Sequence, residues 1–185
     1  MTAYVVLLRG VNLGPHRRVS AADLRGAAQD AGLADVRTLL TSGNLVVTTG
    51  TSGARSAEEV ARLVHDGLST RLGIDVPAVA LTTSRLADIV RANPFTAAAR
   101  EDPSHLQVHV PLGQVDAAGI ARIDLSVPGR ELVAVEKGVV YVHYVEGIGR
   151  SRLTTDVLDK AAGSPMTGRN WNTVTRLLEV AQDLE

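Results

Sequence analysis

Cysteine is absent from this 185-residue chain, which excludes disulfide bonds, thiol nucleophiles and cysteine-ligated metals. Aromatic residues make up only 3% of the chain, and lysine occurs only at Lys137 and Lys160. The net charge is −1, so the composition predicts no general attraction to nucleic acid or to an anionic membrane surface. No apolar run approaches the ~18 residues that a membrane-spanning helix needs.

What is present is an ordinary globular composition, with 45% hydrophobic and 21% charged residues. A chain of this length can form one domain or two small packed domains. The first nine residues carry no basic leader, and their apolar run is shorter than that of a signal peptide. We therefore expect a cytoplasmic protein with no membrane partner.

The first half of the chain alternates apolar runs with capped amphipathic helices. Serine followed three residues later by an acidic residue predicts a helix start at Ser20 and at Ser56. The turn Ser42-Gly43-Asn44 joins two of the strands. Strands are expected at 3–8, 36–40, 45–49 and 76–81, with helices ending near Gly32 and Gly73. This βαββαβ order is that of the ferredoxin-like split unit.

The second half begins a similar cycle. Residues 84–103 are expected to be a helical connector between a ferredoxin-like module at 1–83 and a second α/β module at 104–185. A strand at 105–111, helices at 114–122 and 151–162, and a hairpin of 131–136 with 139–144 around Lys137-Gly138 precede a last helix from about Asn170. The predicted fold class is α+β, two tandem ferredoxin-like modules with the C-terminal helix packed on the core through Trp171.

Three polar strings stand at the ends of these elements: RGVNLG at 9–14, TSGNLVV at 41–47 and GRNWNTVTRLL at 168–178. With them the chain closely resembles a bacterial family called domain of unknown function 1697. Its members show a similar Arg-Gly-x-Asn strand end, Ser-Gly-Asn turn and Arg-Asn-Trp-Asn-Thr helix start. The resemblance implies a two-part α+β build and no established reaction. Members usually carry Thr at the position of Gly168, and Ser151 also matches a family position.

The first string offers Arg9, Asn12 and Arg17 between a strand end and a helix start. Backbone amides and the helix dipole favour an anion at such a place. The string is neither a Walker A loop nor a dinucleotide fingerprint, because no Gly-Lys-Ser/Thr or third glycine follows. The alternative is that Asn12 and the glycines only build the turn, while the arginines are solvated.

The other strings add further candidates. Ser42 and Asn44 either approach the first string across the sheet or serve only the turn. The start of the third string contains three polar residues, Arg169, Asn170 and Asn172. The helix needs only one of them as its cap, so the others are candidates for ligand binding. Trp171 is expected to anchor the helix, and Ser151 either caps the preceding helix or faces the same cleft.

The sequence favours few other chemistries. His105 and His109 have a zinc-like spacing only on a helix, since four strand residues span about 13 Å. His109 and His143 each alternate with valine and are expected on an open or polar face, so no metal site is predicted. No serine lies in a G-x-S-x-G elbow, and no carboxylate dyad is evident. The strands lack the aromatics of RNA-recognition modules, which speaks against nucleic acid.

These observations predict an uncharacterised protein that binds a small anionic or polar molecule, such as a nucleotide or phosphorylated metabolite, in a cleft lined by Arg and Asn. Enzymatic turnover and the cofactor are left open. The alternative is an interaction or dimerisation module with no small ligand, in which the strand Val139–Val142 and the hairpin edges pair across a homodimer.

Overall fold

The computed structural model describes residues 2–12, 18–41, 43–50, 55–126 and 131–185. It divides into two compact units, the first comprising Met1–Ala87 with Arg176–Glu185 and the second the residues between them, 88–175. The last ten residues return to the first unit, where the Ala3 amide donates to the Glu185 carboxylate at 3.5 Å. The expected connector 84–103 contributes residues to both units.

The first unit contains a four-stranded antiparallel sheet and two helices. Its strands lie in the order β2-β3-β1-β4. The strands are β1 (Ala3–Leu8), β2 (Ala34–Leu39), β3 (Asn44–Thr48) and β4 (Ala78–Thr82), and the helices are α1 (Ala21–Asp30) and α2 (Ala57–Leu72).

Both helices begin and end where the capping residues predicted. The Ser20 side chain accepts a hydrogen bond from the Asp23 amide at the start of α1. Ser56 and Glu59 form both halves of a capping box at the start of α2, which ends at Gly73 with a left-handed φ of 66°. These contacts satisfy amides and carbonyls that a helix end leaves unpaired.

Strand β1 is buried on both faces, as its continuous apolar run predicted. Tyr4, Val6 and Leu8 belong to the core cluster that also contains the buried side chains of α1 and α2. Val5 and Leu7 alternate with them and are buried as well. A strand in this position fixes the place of the polar residues that follow its end.

The second unit contains another four-stranded antiparallel sheet, in the order β6-β7-β5-β8. Two helices, α3 (Thr83–Arg91) and α7, run across the boundary between the units in the chain. The remaining elements are α4 (Thr96–Glu101), β5 (Leu106–Pro111), α5 (Ala117–Ala121), β6 (Leu132–Glu136), β7 (Val139–His143), a 3₁₀ turn (Ile148–Arg150), α6 (Thr155–Ala162), β8 (Met166–Asn170) and α7 (Trp171–Gln182).

Strand β8 and the 3₁₀ turn are elements that sequence reasoning missed. The β8 residues Met-Thr-Gly-Arg-Asn show no alternation of apolar and polar side chains. The strand forms because it pairs with β5, with Val108 opposite Arg169 and His109 opposite Gly168. Tertiary pairing overrides a weak local preference here.

The hairpin of β6 and β7 is confirmed, with positive φ at both Lys137 (50°) and Gly138 (65°). Strand β7 lies between β6 and β5, so its backbone is paired on both sides. The expectation that Val139–Val142 could pair across a dimer is therefore wrong, because only an edge strand offers free backbone groups. Within the described ranges, no helix is long and apolar enough to cross a membrane.

Candidate functional site

The first two polar strings meet in the first unit. The end of β1 lies beside the start of β3, because Leu7 pairs with Asn44. The Leu8 amide donates to the Gly43 carbonyl at 2.9 Å. The described residues that follow β1 and those that lie between β2 and β3 therefore form one surface.

Asn12 ties this surface together. Its Oδ1 accepts from the Val19 amide at 3.0 Å, and its Nδ2 donates to the Val19 carbonyl at 3.1 Å. The same Nδ2 donates to the carbonyl of Thr41 in the turn. Asn12 also has a left-handed φ of 57°, which asparagine tolerates better than most residues. Its side chain closes the loop and joins it to the turn.

Two further candidates of these strings are embedded in the structure. Asn44 is fully buried, and its amide donates to the Leu39 carbonyl at 2.9 Å. Arg9 is half-buried, and its backbone amide donates to the Pro77 carbonyl at 2.8 Å. Arg17 and Ser42 lie outside the described residues.

A cavity of about 620 Å³ opens beside this surface. Among the described lining residues, the charged one is Arg18, whose side chain is exposed. Hydroxyl groups and apolar side chains make up most of the remaining wall. The lining residues are Asn12, Arg18, Val19, Ser20, Ala21, Leu24, Thr38, Leu40, Thr41 and Gly43.

The start of α1 contributes to the electrostatics of the cavity. Ser20 and Ala21 are its cap and first residue, so the positive end of the helix dipole lies at the wall. Asp23, in the first turn, is hydrogen-bonded by Ser20 and lies 3.6 Å from Arg71. The hydrogen bond from Ser20, with the charge of Arg71, holds the pKa of Asp23 below its usual value. Arg71 therefore offsets part of the negative charge that Asp23 brings to the start of α1.

The third string lies in the second unit and begins the last helix. Asn170 Oδ1 accepts from the Thr173 amide at 2.9 Å and from the Thr173 hydroxyl at 2.8 Å. Asn170 is thus the cap of α7, whereas Asn172 is exposed. Trp171 is buried, in agreement with its predicted anchoring role.

Arg169 is only 8% exposed, although arginine is usually a surface residue. Its Nη1 donates to the Thr167 hydroxyl and to the Gly168 carbonyl, both at 2.8 Å. Burial lowers the pKa of Arg169 to about 10, so the guanidinium keeps its charge at neutral pH.

Ser151 follows the 3₁₀ turn and does not cap α6, because Thr154 caps that helix and accepts from the Val157 amide. The Ser151 hydroxyl donates to the carboxylate of the buried Glu131 and accepts from the Leu153 amide at 2.9 Å. Tyr144 lies in the same region and donates to the Leu153 carbonyl. Burial, with the negative charge of Glu131, raises the pKa of Tyr144.

The site residues thus form separate groups within the two units. Arg9, Asn12 and Asn44 belong to the first unit, at the end of β1. Ser151, Arg169, Asn170 and Asn172 belong to the second unit. There Asn170 pairs with Gln107 near the start of β5.

A further cluster in the second unit was not predicted. His105 Nδ1 lies 3.0 Å from Asp102 Oδ1, and His143 Nε2 lies 2.9 Å from Asp102 Oδ2. The spacing of Asp102 and His105 within one turn could have suggested their contact. His143 joins them only because Leu106 pairs with His143 across the sheet, and a sequence does not show that register. Among the described residues, no three His, Cys, Asp or Glu side chains are placed to hold a metal ion.

His109 corrects a second expectation. It was expected on an open or polar face, but it is 2% exposed, and neither ring nitrogen has a hydrogen-bond partner in the described part of the chain. Its cross-strand partners are Val140 and Gly168. Burial, with the positive charge of Arg169, lowers the pKa of His109 to about 4. His109 is therefore a neutral side chain above pH 5.

With this geometry established, comparison with known proteins gives a family. A model of the family described as protein of unknown function (DUF1697) matches residues 1–141. The chain belongs to this family. The matched residues include the first two polar strings and end before the third. No curated protein matches the chain.

A solved structure with a similar fold is that of the conserved bacterial protein SP0830 from Streptococcus pneumoniae. It matches with a TM-score of 0.73 over 97% of this chain and 98% of that one, at 18% sequence identity. At this identity the likeness shows the fold, α+β with two four-stranded sheets, and no function.

Proposed function

We propose that this protein binds a small anionic or polar molecule, such as a nucleotide or phosphorylated metabolite, in the cavity of the first unit. The observation that carries the proposal is the cavity itself, at which the loop after β1, the turn between β2 and β3, and the start of α1 converge. Its volume of about 620 Å³ lies within the range of small-molecule sites, roughly 300–1,000 Å³.

The lining residues suit a phosphate or carboxylate group. Arg18 can donate two parallel hydrogen bonds to such an anion. The hydroxyls of Thr38 and Thr41 and the amides at the start of α1 add neutral donors. Leu24 and Leu40 offer apolar contact for the rest of the molecule.

In this proposal the asparagines of the two strings are the frame of the site. The side-chain amide of Asn12 donates to the carbonyls of Val19 and Thr41, and that of Asn44 donates to the Leu39 carbonyl. A frame held in this way keeps the cavity in its binding shape before the ligand arrives, which lowers the entropic cost of binding. The described lining residues include no carboxylate, histidine or lysine, so the cavity is suited to binding or to electrostatic stabilisation of a bound group.

A thermal-shift screen against nucleotides and phosphorylated metabolites tests the proposal. A ligand at one hundred times its dissociation constant stabilises by about 2.7 kcal/mol, which raises the unfolding midpoint by roughly 5–10 °C at this size. We expect the shift to disappear in Arg18→Ala and to persist in Arg62→Ala, an exposed arginine of α2 that does not line the cavity. A shift that survives in Arg18→Ala, or no shift with any compound, would contradict the proposal.

We further propose that the two units are tandem ferredoxin-like modules. Each sheet joins its four strands in the same order relative to the chain, β2-β3-β1-β4 and β6-β7-β5-β8. Each half also runs through strand, helix, two strands, helix and strand. This is the order of the split βαβ unit. In this arrangement the proposed ligand site at the end of β1 is formed by the first module alone.

A second candidate function is self-association through β6. This strand lies at the edge of its sheet, and its residue Leu132 is 49% exposed. Residues 132–135 contain neither lysine nor proline, which commonly protect an edge. Sedimentation equilibrium of wild type and Leu132→Lys distinguishes the two functions. A dimer that Leu132→Lys dissociates supports this candidate, whereas a monomeric wild type contradicts it.

A further inference from the structure

The cluster around Asp102 lies in the second unit, whereas the residues that line the proposed cavity belong to the first unit. Asp102 follows α4, His105 lies in the turn before β5, and His143 ends β7. Asp102 Oδ2 accepts from both imidazoles, with distances of 2.9 Å to His143 Nε2 and 3.1 Å to His105 Nδ1. Both contacts are well within hydrogen-bond range.

The protonation of the cluster follows from the carboxylate. The hydrogen bond from His143, with that from His105, holds the pKa of Asp102 below its usual value. Asp102 is therefore ionised at neutral pH and can only accept hydrogen bonds. Hence His105 carries its hydrogen on Nδ1, and His143 carries its hydrogen on Nε2. The remaining nitrogens, His105 Nε2 and His143 Nδ1, hold lone pairs when the rings are neutral.

Exposure distinguishes the two rings. The His105 side chain is 43% exposed, whereas that of His143 is 14% exposed. The more accessible base is thus His105 Nε2. Gly147 contributes to this access, because a Cβ at that position would lie 3.4 Å from Nε2. An imidazole oriented by a carboxylate, with its second nitrogen open, is the arrangement that general acid–base catalysis uses.

We propose that Asp102, His105 and His143 form an acid–base site in which His105 Nε2 accepts a proton from a hydroxyl group or water of a bound molecule and returns it. The O–H bond breaks as the Nε2–H bond forms, which leaves a negative oxygen and an imidazolium. Asp102 is a positioning residue that fixes the His105 tautomer, and its negative charge stabilises the imidazolium. His143 is a positioning residue that holds the carboxylate.

Other charges near the cluster are exposed to solvent. Arg100 and Glu101 lie on α4, Glu146 lies in the loop with Gly147, and Arg150 ends the 3₁₀ turn. Exposed charges of both signs are screened by water and salt. Asp102 is the carboxylate in direct contact and is therefore expected to orient the His105 ring.

Nitrogen-15 NMR of the imidazole rings tests this proposal without a substrate. In the wild type, His105 is expected in the tautomer with hydrogen on Nδ1. Asp102→Asn replaces the acceptor carboxylate by an amide and is expected to raise the fraction of His105 that carries its hydrogen on Nε2. The control Asp88→Asn removes the same charge from an exposed pair with Arg91 and is expected to leave the His105 tautomer unchanged. His65, in the first unit, serves as an internal reference.

The role of His143 is tested by two variants. His143→Gln can still donate to Asp102 and is expected to keep the His105 tautomer, whereas His143→Ala is expected to shift the tautomer toward that of Asp102→Asn. Hydrogen on Nε2 of His105 in the wild type would overturn the proposal, and this result needs no variant to fold. Equal tautomer fractions of His105 in the wild type and in a folded Asp102→Asn would overturn it as well. Neither result bears on the cavity of the first unit.

Discussion

At the scale of single residues, the contact of His109 with Gly168 leaves no room for a side chain at position 168. A Cβ built on Gly168 would lie 2.8 Å from His109 Cε1 and 2.9 Å from Nδ1. The ring is buried and cannot swing into solvent. This position therefore requires glycine because of its neighbour, without any unusual backbone angle.

Gly168→Ala is expected to destabilise the protein by about 1–3 kcal/mol, the usual cost of overpacking a core. In a His109→Ala background the same substitution is expected to cost much less, because the ring is gone. Urea unfolding of the four proteins in this double-mutant cycle measures the coupling. Gly149→Ala is the control, since a Cβ there meets nothing within 4 Å. Additive effects of the two substitutions would contradict the proposed contact.

His109 also predicts how stability depends on pH. Its pKa is about 4 in the folded protein and about 6.5 in the unfolded chain. Between these values the unfolded state binds more protons, so the free energy of unfolding falls as the pH falls from 6.5 to 4. The loss amounts to roughly 3 kcal/mol at about 1.4 kcal/mol per pH unit.

The measurement is urea unfolding of wild type and His109→Met at pH 7 and pH 4.5. The variant is expected to lose less stability than the wild type over this range. Asp102 is present in both proteins, and its lowered pKa reduces stability mainly below its ordinary value of 3.8, so it does not account for a difference between them. An equal loss in both proteins would show that His109 is not the titrating group.

At the scale of elements, the two asparagines of the last polar string provide a matched pair. Asn170→Ala removes the cap of α7 and is expected to cost about 1 kcal/mol. Asn172→Ala removes the same side chain from an exposed position and is expected to stay within about 0.5 kcal/mol of the wild type. Thermal unfolding compares the two variants directly, and equal costs would be inconsistent with a capping role for Asn170.

Elements with a local signal were predictable from the sequence. Ser20, Ser56 and Gly73 marked helix ends, and the Lys137-Gly138 turn marked a hairpin, because capping and turn residues act within a few positions of the chain. Strand β8 was not predictable in this way, since its pairing with β5 joins residues about 60 positions apart.

The candidate site shows the same division. That the first and second strings approach each other followed from the sheet order, and the contact of Asn12 with Thr41 is part of that approach. The cavity lining by Arg18, Thr38 and Leu40 could not be foreseen, because it depends on how the turn lies against α1. His143 reaches Asp102 only through the register of β5 and β7.

At the scale of the whole molecule, the two proposed polar sites lie in different units of the chain. The cavity of the first unit offers Arg18, hydroxyls and a helix start, which suit ligand binding. The second unit offers a carboxylate between two histidines, which suits proton transfer. Each site rests on contacts within its own unit, so each can be tested without reference to the other.

The central claim is ligand binding in the first unit, and NMR titration of the nitrogen-15 labelled protein tests it most directly. With a nucleoside monophosphate as probe, we predict saturable shifts of the backbone amides of Ala21, Thr41 and Gly43. Arg18→Ala is expected to abolish the shifts, and inorganic phosphate to reproduce part of them. No saturable shift at these amides with either probe, or shifts confined to residues 88–175, would contradict the account.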